Sequence, residues 1–204
     1  MSARRTLRLA ARMVLRTPKI ARNAVRDLRY GGLLGGTVKT RFAHLGAHDV
    51  GNVDYEDLPP LFAAAEVRPD DVIVDVGAGK GRSINWLLDR YPENRIVGIE
   101  LDPEIARKTA HRLRRFGNVT ILCGDATALL PREGTVFYLF NPFDAGVMRR
   151  FIDAFLAEGM RPDRRIVYHN CKHVDLFRDD PRFAVEEIVL PSGSFRSALV
   201  RLRP

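Results

Sequence analysis

Cysteine is nearly missing. Cys123 and Cys171 are the only two in 204 residues, so no disulfide framework can be argued, and both fall in or beside strand-like segments where a free thiol behaves as a small buried apolar group. No stretch of 18 apolar residues exists, so no segment reads as a membrane span. Internal repeats and low-complexity tracts are absent. Metal-ligand patterns are sparse as well. His44 and His48 stand four apart, but Gly46 between them weakens a helical zinc pair. His169, Cys171, His173 and Asp175 alternate like a ligand set, yet a strand end more often places such groups for hydrogen bonding, and no metal is expected. Acid is scarce at the N-terminus: residues 1–36 hold nine Lys or Arg against Asp27 alone, and so carry the whole net charge of +8.

That basic segment has its own pattern. Arg4, Arg8, Arg12 and Arg16 repeat every four residues on one helical face, with Leu7, Ala10, Ala11, Val14 and Leu15 mainly on the other, which predicts a cationic amphipathic helix. Pro18 is expected to end or kink it, and Gly31-Gly32 with Gly35-Gly36 to form a flexible joint. Three readings stay open for this arm. An anionic membrane surface would attract it by about 1 kcal/mol per basic residue; nucleic-acid phosphates need the same charges; or the helix packs on the domain or stays solvated. Weak membrane-surface contact through residues 1–36 is the expectation, with nucleic acid less favoured, and the location cytoplasmic or peripheral at the membrane. The oligomeric state is open.

Beyond the arm, a 37–60 connecting segment leads to a 61–204 body of ordinary single-domain size, within a chain that is 46% hydrophobic. Strand signals at 72–76, 95–99, 119–123, 135–140, 165–169, 184–190 and 197–202 alternate with helical stretches, 83–90 and 145–159 among them. The alternation predicts an α/β fold, a doubly wound Rossmann-like sheet of seven strands. The short Pro191-Ser192-Gly193 link predicts an antiparallel final strand.

The first strand opens into Asp75, Gly77, Gly79 and Gly81, a D-x-G-x-G-x-G pattern whose glycines permit a sharp turn and close approach of an adenosine-bearing ligand. A dinucleotide fingerprint would need glycine at Arg82, which disfavours a nicotinamide-dependent oxidoreductase, and Lys80 is not followed by Gly-Lys-Ser/Thr, which excludes a Walker loop. Glu100, at the tip of the second strand, is placed to accept hydrogen bonds from ribose hydroxyls. The same pattern resembles the first motif of the class I S-adenosylmethionine-dependent methyltransferases, and the later strand ends continue the likeness over about residues 50–204.

The resemblance implies S-adenosylmethionine as methyl donor and S-adenosylhomocysteine as product. Asp75, Gly77, Ala78, Gly79 and Gly81 would seat the methionine part, Glu100 and Leu101 the ribose, and Asp125 and Ala126 the adenine edge. Asn141, Pro142 and Phe143 resemble a shortened N-P-P-Y/F loop of amino-group methyltransferases, in which the Asn oxygen and a backbone carbonyl orient a target nitrogen beside an aromatic face. The second proline is missing and Asp144 follows. An unidentified acceptor, a protein side chain or a small molecule, is therefore expected to receive methyl on nitrogen, with Asn141 also near the cofactor. Read alone, Asn141-Pro142 is equally a structural turn. His169, at the tip of the fifth strand, is expected to border the acceptor pocket and help take a proton. Residues 37–61 are expected to form a lid, with Tyr55 either touching ligand or packing as a staple. Lys80 and Arg82 either add charge beside the loop or face solvent as helix-start residues. The reading from another class is a non-catalytic S-adenosylmethionine-binding module acting through its basic arm.

Overall fold

The computed structural model describes residues 18–157, 159–193 and 195–203. The arginine stripe at positions 4 to 16, and the membrane contact expected of it, lie outside them. The body is one sheet in the order β3-β2-β1-β4-β5-β7-β6, built from β1 (Val72–Val76), β2 (Arg95–Glu100), β3 (Val119–Cys123), β4 (Val136–Phe140), β5 (Arg165–His169), β6 (Phe183–Ile188) and β7 (Ser197–Leu202). The first five are parallel, and β7 runs antiparallel to both of its neighbours. The expected fold is the observed one.

Side chains alternate across β1 because a strand has a period of two. Val74 and Val76 enter a core with Phe137, Leu139, Phe151 and Phe155, while Ile73 enters the opposite core with Phe62, Leu87 and Tyr138. Both faces are thus buried, as a run of aliphatics in a parallel strand requires. Helices α2 (Leu58–Ala65), α3 (Arg82–Arg90), α4 (Pro103–Leu113), α5 (Ala126–Leu129), α6 (Ala145–Ala157) and α7 (Asp175–Arg178) connect the strands or cover the sheet. The N-cap of α4 is Asp102, whose carboxylate accepts from Glu104 N and Ile105 N, and Pro103 fits the first turn because its missing N–H would have had no partner there. The chain leaves β1 toward β2 and β3, then returns to lay β4 on the other side of β1. That reversal opens a crevice at the carboxyl ends of β1 and β4, the usual ligand position in open α/β sheets.

The N-terminal helix α1, described over residues 18–29, lies on this body and is tied to it. Asp27 is 1% exposed and receives Arg82 in two bonds, Nε to Oδ1 at 3.0 Å and Nη2 to Oδ2 at 2.6 Å. The Tyr55 hydroxyl donates to the same carboxylate at 2.9 Å and Leu34 N at 3.1 Å. The solitary acid of the arm is therefore its anchor, and Arg82 is a buried partner, not a solvent-facing side chain. Tyr55 is a packing and anchoring residue that does not line the cavity described below. The glycine joint is also held: Lys80 Nζ donates to the carbonyls of Gly35 and Gly36 at 2.8 and 2.7 Å, and Asn52 Nδ2 to those of Leu34 and Gly36 at 2.6 and 2.9 Å. Eight hydrogen bonds, four at the buried Asp27 carboxylate and four at the carbonyls of Leu34, Gly35 and Gly36, replace the free hinge that four glycines suggested.

Candidate active site

A cavity of about 460 Å³ opens at the carboxyl ends of the central strands. Its walls include Gly77, Glu100, Leu101, Asp125, Ala126, Asn141, Pro142 and Phe143 from the sheet side. Residues 40, 42 and 44 through 51 close it from the lid side, and Gly146, Val147 and Arg150 of α6 form another wall. One space thus gathers the ends of β1, β2, β3 and β4.

Each wall has a local cause. At the turn after β1, Gly77 N and Ala78 N both donate to Ile99 O at 2.9 Å, and Gly77 takes φ +78°. A Cβ at Gly77 would lie 2.7 Å from Pro142 Cβ. Glycine there is required by backbone geometry and by contact between the β1 and β4 loops. Gly79 similarly faces the lid, where a Cβ would meet Val50 Cγ1 at 2.7 Å. Glu100 accepts from Gly79 N at Oε2 and from Asp102 N at Oε1, both at 2.8 Å. A carboxylate has about four lone-pair positions, so Glu100 keeps acceptor capacity for a ligand hydroxyl. Burial raises the Glu100 carboxyl above the ordinary range even though these backbone donors oppose it. Asp125 caps α5 by accepting from Thr127 N and Thr127 Oγ1 at one oxygen, Oδ1. Its Oδ2 has no partner among the described residues.

Asp75, Ala78, Gly79 and Gly81 stand behind the main cavity. Asp75 and Ala78 border a side space of about 30 Å³ with Ser83, Tyr138 and Phe140, while Gly81, at φ +74°, is the N-cap of α3. The Asp75 carboxylate accepts from Ser83 Oγ. Burial pushes this carboxyl up to about 7, with the Glu100 charge adding to the rise and the Ser83 bond opposing it. In the unfolded chain an Asp titrates near ~3.9. Between about pH 4 and 7 the unfolded state therefore sheds its proton first, so this group's contribution to stability falls as pH rises through that window. Asp75→Asn is expected to remove the decline and to be more stable than the parent at pH 8, by at most about 4 kcal/mol, with a much smaller difference at pH 4. Urea unfolding at both pH values measures this; equal differences at the two would show that the Asp75 charge costs nothing.

His169 departs from expectation. It is fully buried, its Nδ1 lies 2.9 Å from Ser197 Oγ, and its ring is covered by Phe140 and Phe195. Burial pulls the imidazole down to about 4. The physical reason is that β7 pairs with β5 in the register His169↔Ser197, which sets Ser197 against the imidazole while Phe140 and Phe195 cover the ring. His169 does not border the cavity. The described residues hold no group of three or more His, Cys, Asp and Glu able to bind a metal ion.

The lid is continuous with the loop after β4. Ala47 bridges Phe143 in antiparallel fashion, His48 N donates to Pro142 O at 3.0 Å, and Asp144 N donates to Gly46 O at 2.8 Å. Asn141 holds φ +44°, a conformation that Asn tolerates better than most residues. His48, Phe42, Val50, Val147 and Arg150 were not singled out as site residues. The richness of residues 37–61 in Gly, His and Asp was the only signal for the first three, and nothing in the α6 pattern separated Val147 and Arg150 from a packed helix.

Residues 73–161 match the family described as a methyltransferase domain. The chain is 38% identical over 74 residues to a probable ribosomal RNA small subunit methyltransferase A of Methanosarcina barkeri, covering 36% of this chain and 25% of the relative. It is also 38% identical over 78 residues to a tRNA (guanine-N(7)-)-methyltransferase of Rhodopirellula baltica, covering 36% and 29%. The chain thus spans less than a third of either relative. Among solved structures, TrmN from Thermus thermophilus superposes with a TM-score of 0.59 at 17% identity, covering 72% of this chain and 48% of that one, which speaks to the fold.

S-adenosylmethionine is the donor for this class of methyltransferase domain, and the residues fit it. The acidic groups at the ends of β2 and β3 retain acceptor capacity toward the cavity, where ribose and an exocyclic amine would require it. The glycine turn brings backbone between them without a side chain.

Proposed function

We propose that the protein is an S-adenosylmethionine-dependent methyltransferase that delivers methyl to a nitrogen atom of its acceptor. The observation that carries this reading is the meeting of the N-P-F loop with the glycine loop in one cavity, Gly77 lying directly against Pro142. S-adenosylmethionine supplies a sulfonium methyl already activated toward nucleophiles. The protein's task is then to hold the acceptor in attack geometry and exclude water. Glu100 and Asp125 would orient the adenosyl group, Phe143 would contribute an aromatic wall, and Asn141 would orient the acceptor nitrogen.

The relatives named for ribosomal and transfer RNA support an RNA acceptor ahead of the protein side chain or small molecule expected from the sequence. Arg150, exposed at the cavity wall and without a partner among the described residues, is a candidate contact for a phosphate. Calorimetry with S-adenosylmethionine and S-adenosylhomocysteine tests the donor. Transfer of tritiated methyl to a cell extract fractionated into RNA, protein, lipid and small metabolites tests the acceptor. Label confined to RNA is the expected result. Label confined to another fraction would overturn the RNA assignment, and tight cofactor binding with no label in any fraction would favour a non-catalytic binding module.

A further inference from the structure

We propose that His48 is the proton acceptor of this site, the role that sequence placed at His169; the proposal rests on the methyl-transfer reading above. His48 comes from the lid, lines the cavity and is half-buried. Its backbone is fixed on both sides, by its own bond to Pro142 O and by the Ala47 bridge to Phe143. The side chain is fixed too, since Nδ1 lies 2.9 Å from the carbonyl oxygen of Asn141.

That contact determines where the ring hydrogen sits. A carbonyl oxygen only accepts, so the contact is a hydrogen bond when Nδ1 bears the hydrogen. The Asn141 amide lies 3.2 Å from the same Nδ1. The structure sets the amide Nδ2 towards the ring and Oδ1 3.4 Å from the Tyr168 hydroxyl; two donors cannot share the gap to the ring, so the Nδ1–H form calls for the amide turned over, its oxygen towards His48 and its nitrogen towards Tyr168. In the neutral ring the lone pair is then left on Nε2, which bonds nothing among the described residues. The charged or titratable groups around it are Asp49 on the lid, Asp144 after the N-P-F loop, His173 after β5, and Arg150 of α6.

In the reaction the acceptor nitrogen forms a bond to the methyl carbon as the carbon–sulfur bond breaks, and that bond's electron pair stays on sulfur. The acceptor's N–H proton passes to His48 Nε2, and the imidazolium returns it to water at the cavity mouth. Without a base the methylated nitrogen would retain its extra proton and positive charge beside the aromatic wall.

Two substitutions separate the two ring nitrogens. Asn at position 48 keeps a donor where Nδ1 stands and removes Nε2, whereas Gln reaches toward the Nε2 position and loses the tether. His48→Asn is expected to lower kcat by about 10²- to 10⁴-fold, to leave the S-adenosylhomocysteine Kd within about threefold, and to abolish the fall of kcat on the acid side. His48→Gln is expected to lower kcat as well, because an amide is no base. Retained kcat in His48→Asn, or an unchanged acid limb, overturns the proposal. A readout independent of turnover comes from nitrogen-15 NMR of the full chain with S-adenosylhomocysteine at pH 8. The Nδ1–H tautomer of His48 is expected, and the Nε2–H tautomer overturns the assignment. A parent protein that binds cofactor yet labels no fraction removes the methyl-transfer reading itself, an outcome distinct from an active parent with an equally active His48→Asn.

Discussion

Arg82→Ala is expected to cost about 3–5 kcal/mol of stability, because it leaves the Asp27 carboxylate buried without its cation. The geometry supports a value near the upper end of single substitutions. Asp27 is 1% exposed and Arg82 7%, so water cannot replace the lost partner without opening the interface between α1 and α3. Exposed pairs such as Lys108–Glu104, four residues apart on α4, contribute far less, because solvent screens them. The loss should extend to the glycine loop, since Arg82 is the first residue of α3 and directly follows Gly81. Replacing Asp27 and Arg82 together by Leu is expected to recover a large part of the stability, since the pair's desolvation cost disappears with it. Urea denaturation of the single and double variants checks both statements. A single variant within 1 kcal/mol of the parent would mean that solvent already reaches Asp27.

Asn141→Ala is expected to reduce methyl transfer by about 10²- to 10³-fold, in the range found for removal of one preorganised polar group from a reaction site, while S-adenosylhomocysteine affinity changes little. The backbone adds a complication. Asn141 sits at φ +44°, where Ala is strained by roughly 1–2 kcal/mol. Asn141→Gly removes the side chain and relieves that strain. Both variants should be inactive if the amide works on the acceptor or holds His48; activity restored in the Gly variant would make Asn141 a backbone requirement only. Simultaneous loss of cofactor affinity in both would move the residue from chemistry to architecture.

The strands were legible because alternation of buried aliphatic runs with helical stretches is a local property, and so were the four strand ends, each marked by an acid, glycine or Asn-Pro. What lay beyond reach depended on pairing between distant segments. His169 looked like a rim residue because β5 ends there, as it does; only the pairing with β7 shows that Ser197, with Phe140 and Phe195, encloses its ring. Arg82 read either as added charge beside the glycine loop or as a solvent-facing helix start, and its burial became visible once Asp27, 55 positions away, was placed against it. His48 was noticed as half of a rejected metal pair, and its tie to Asn141 spans 93 positions. Composition drew boundaries at residues 36 and 60, whereas the hydrogen bonds cross both.

Those crossings decide where the polypeptide tolerates scissors. Excision of residues 61–204 as a minimal catalytic fragment would strand a guanidinium in an apolar seam, expose the flank of α3 and discard one wall of the cavity. Proteolysis should accordingly spare the junctions that base composition marks out as linkers, and a fusion partner belongs at an end of the polypeptide, not between the lid and the sheet.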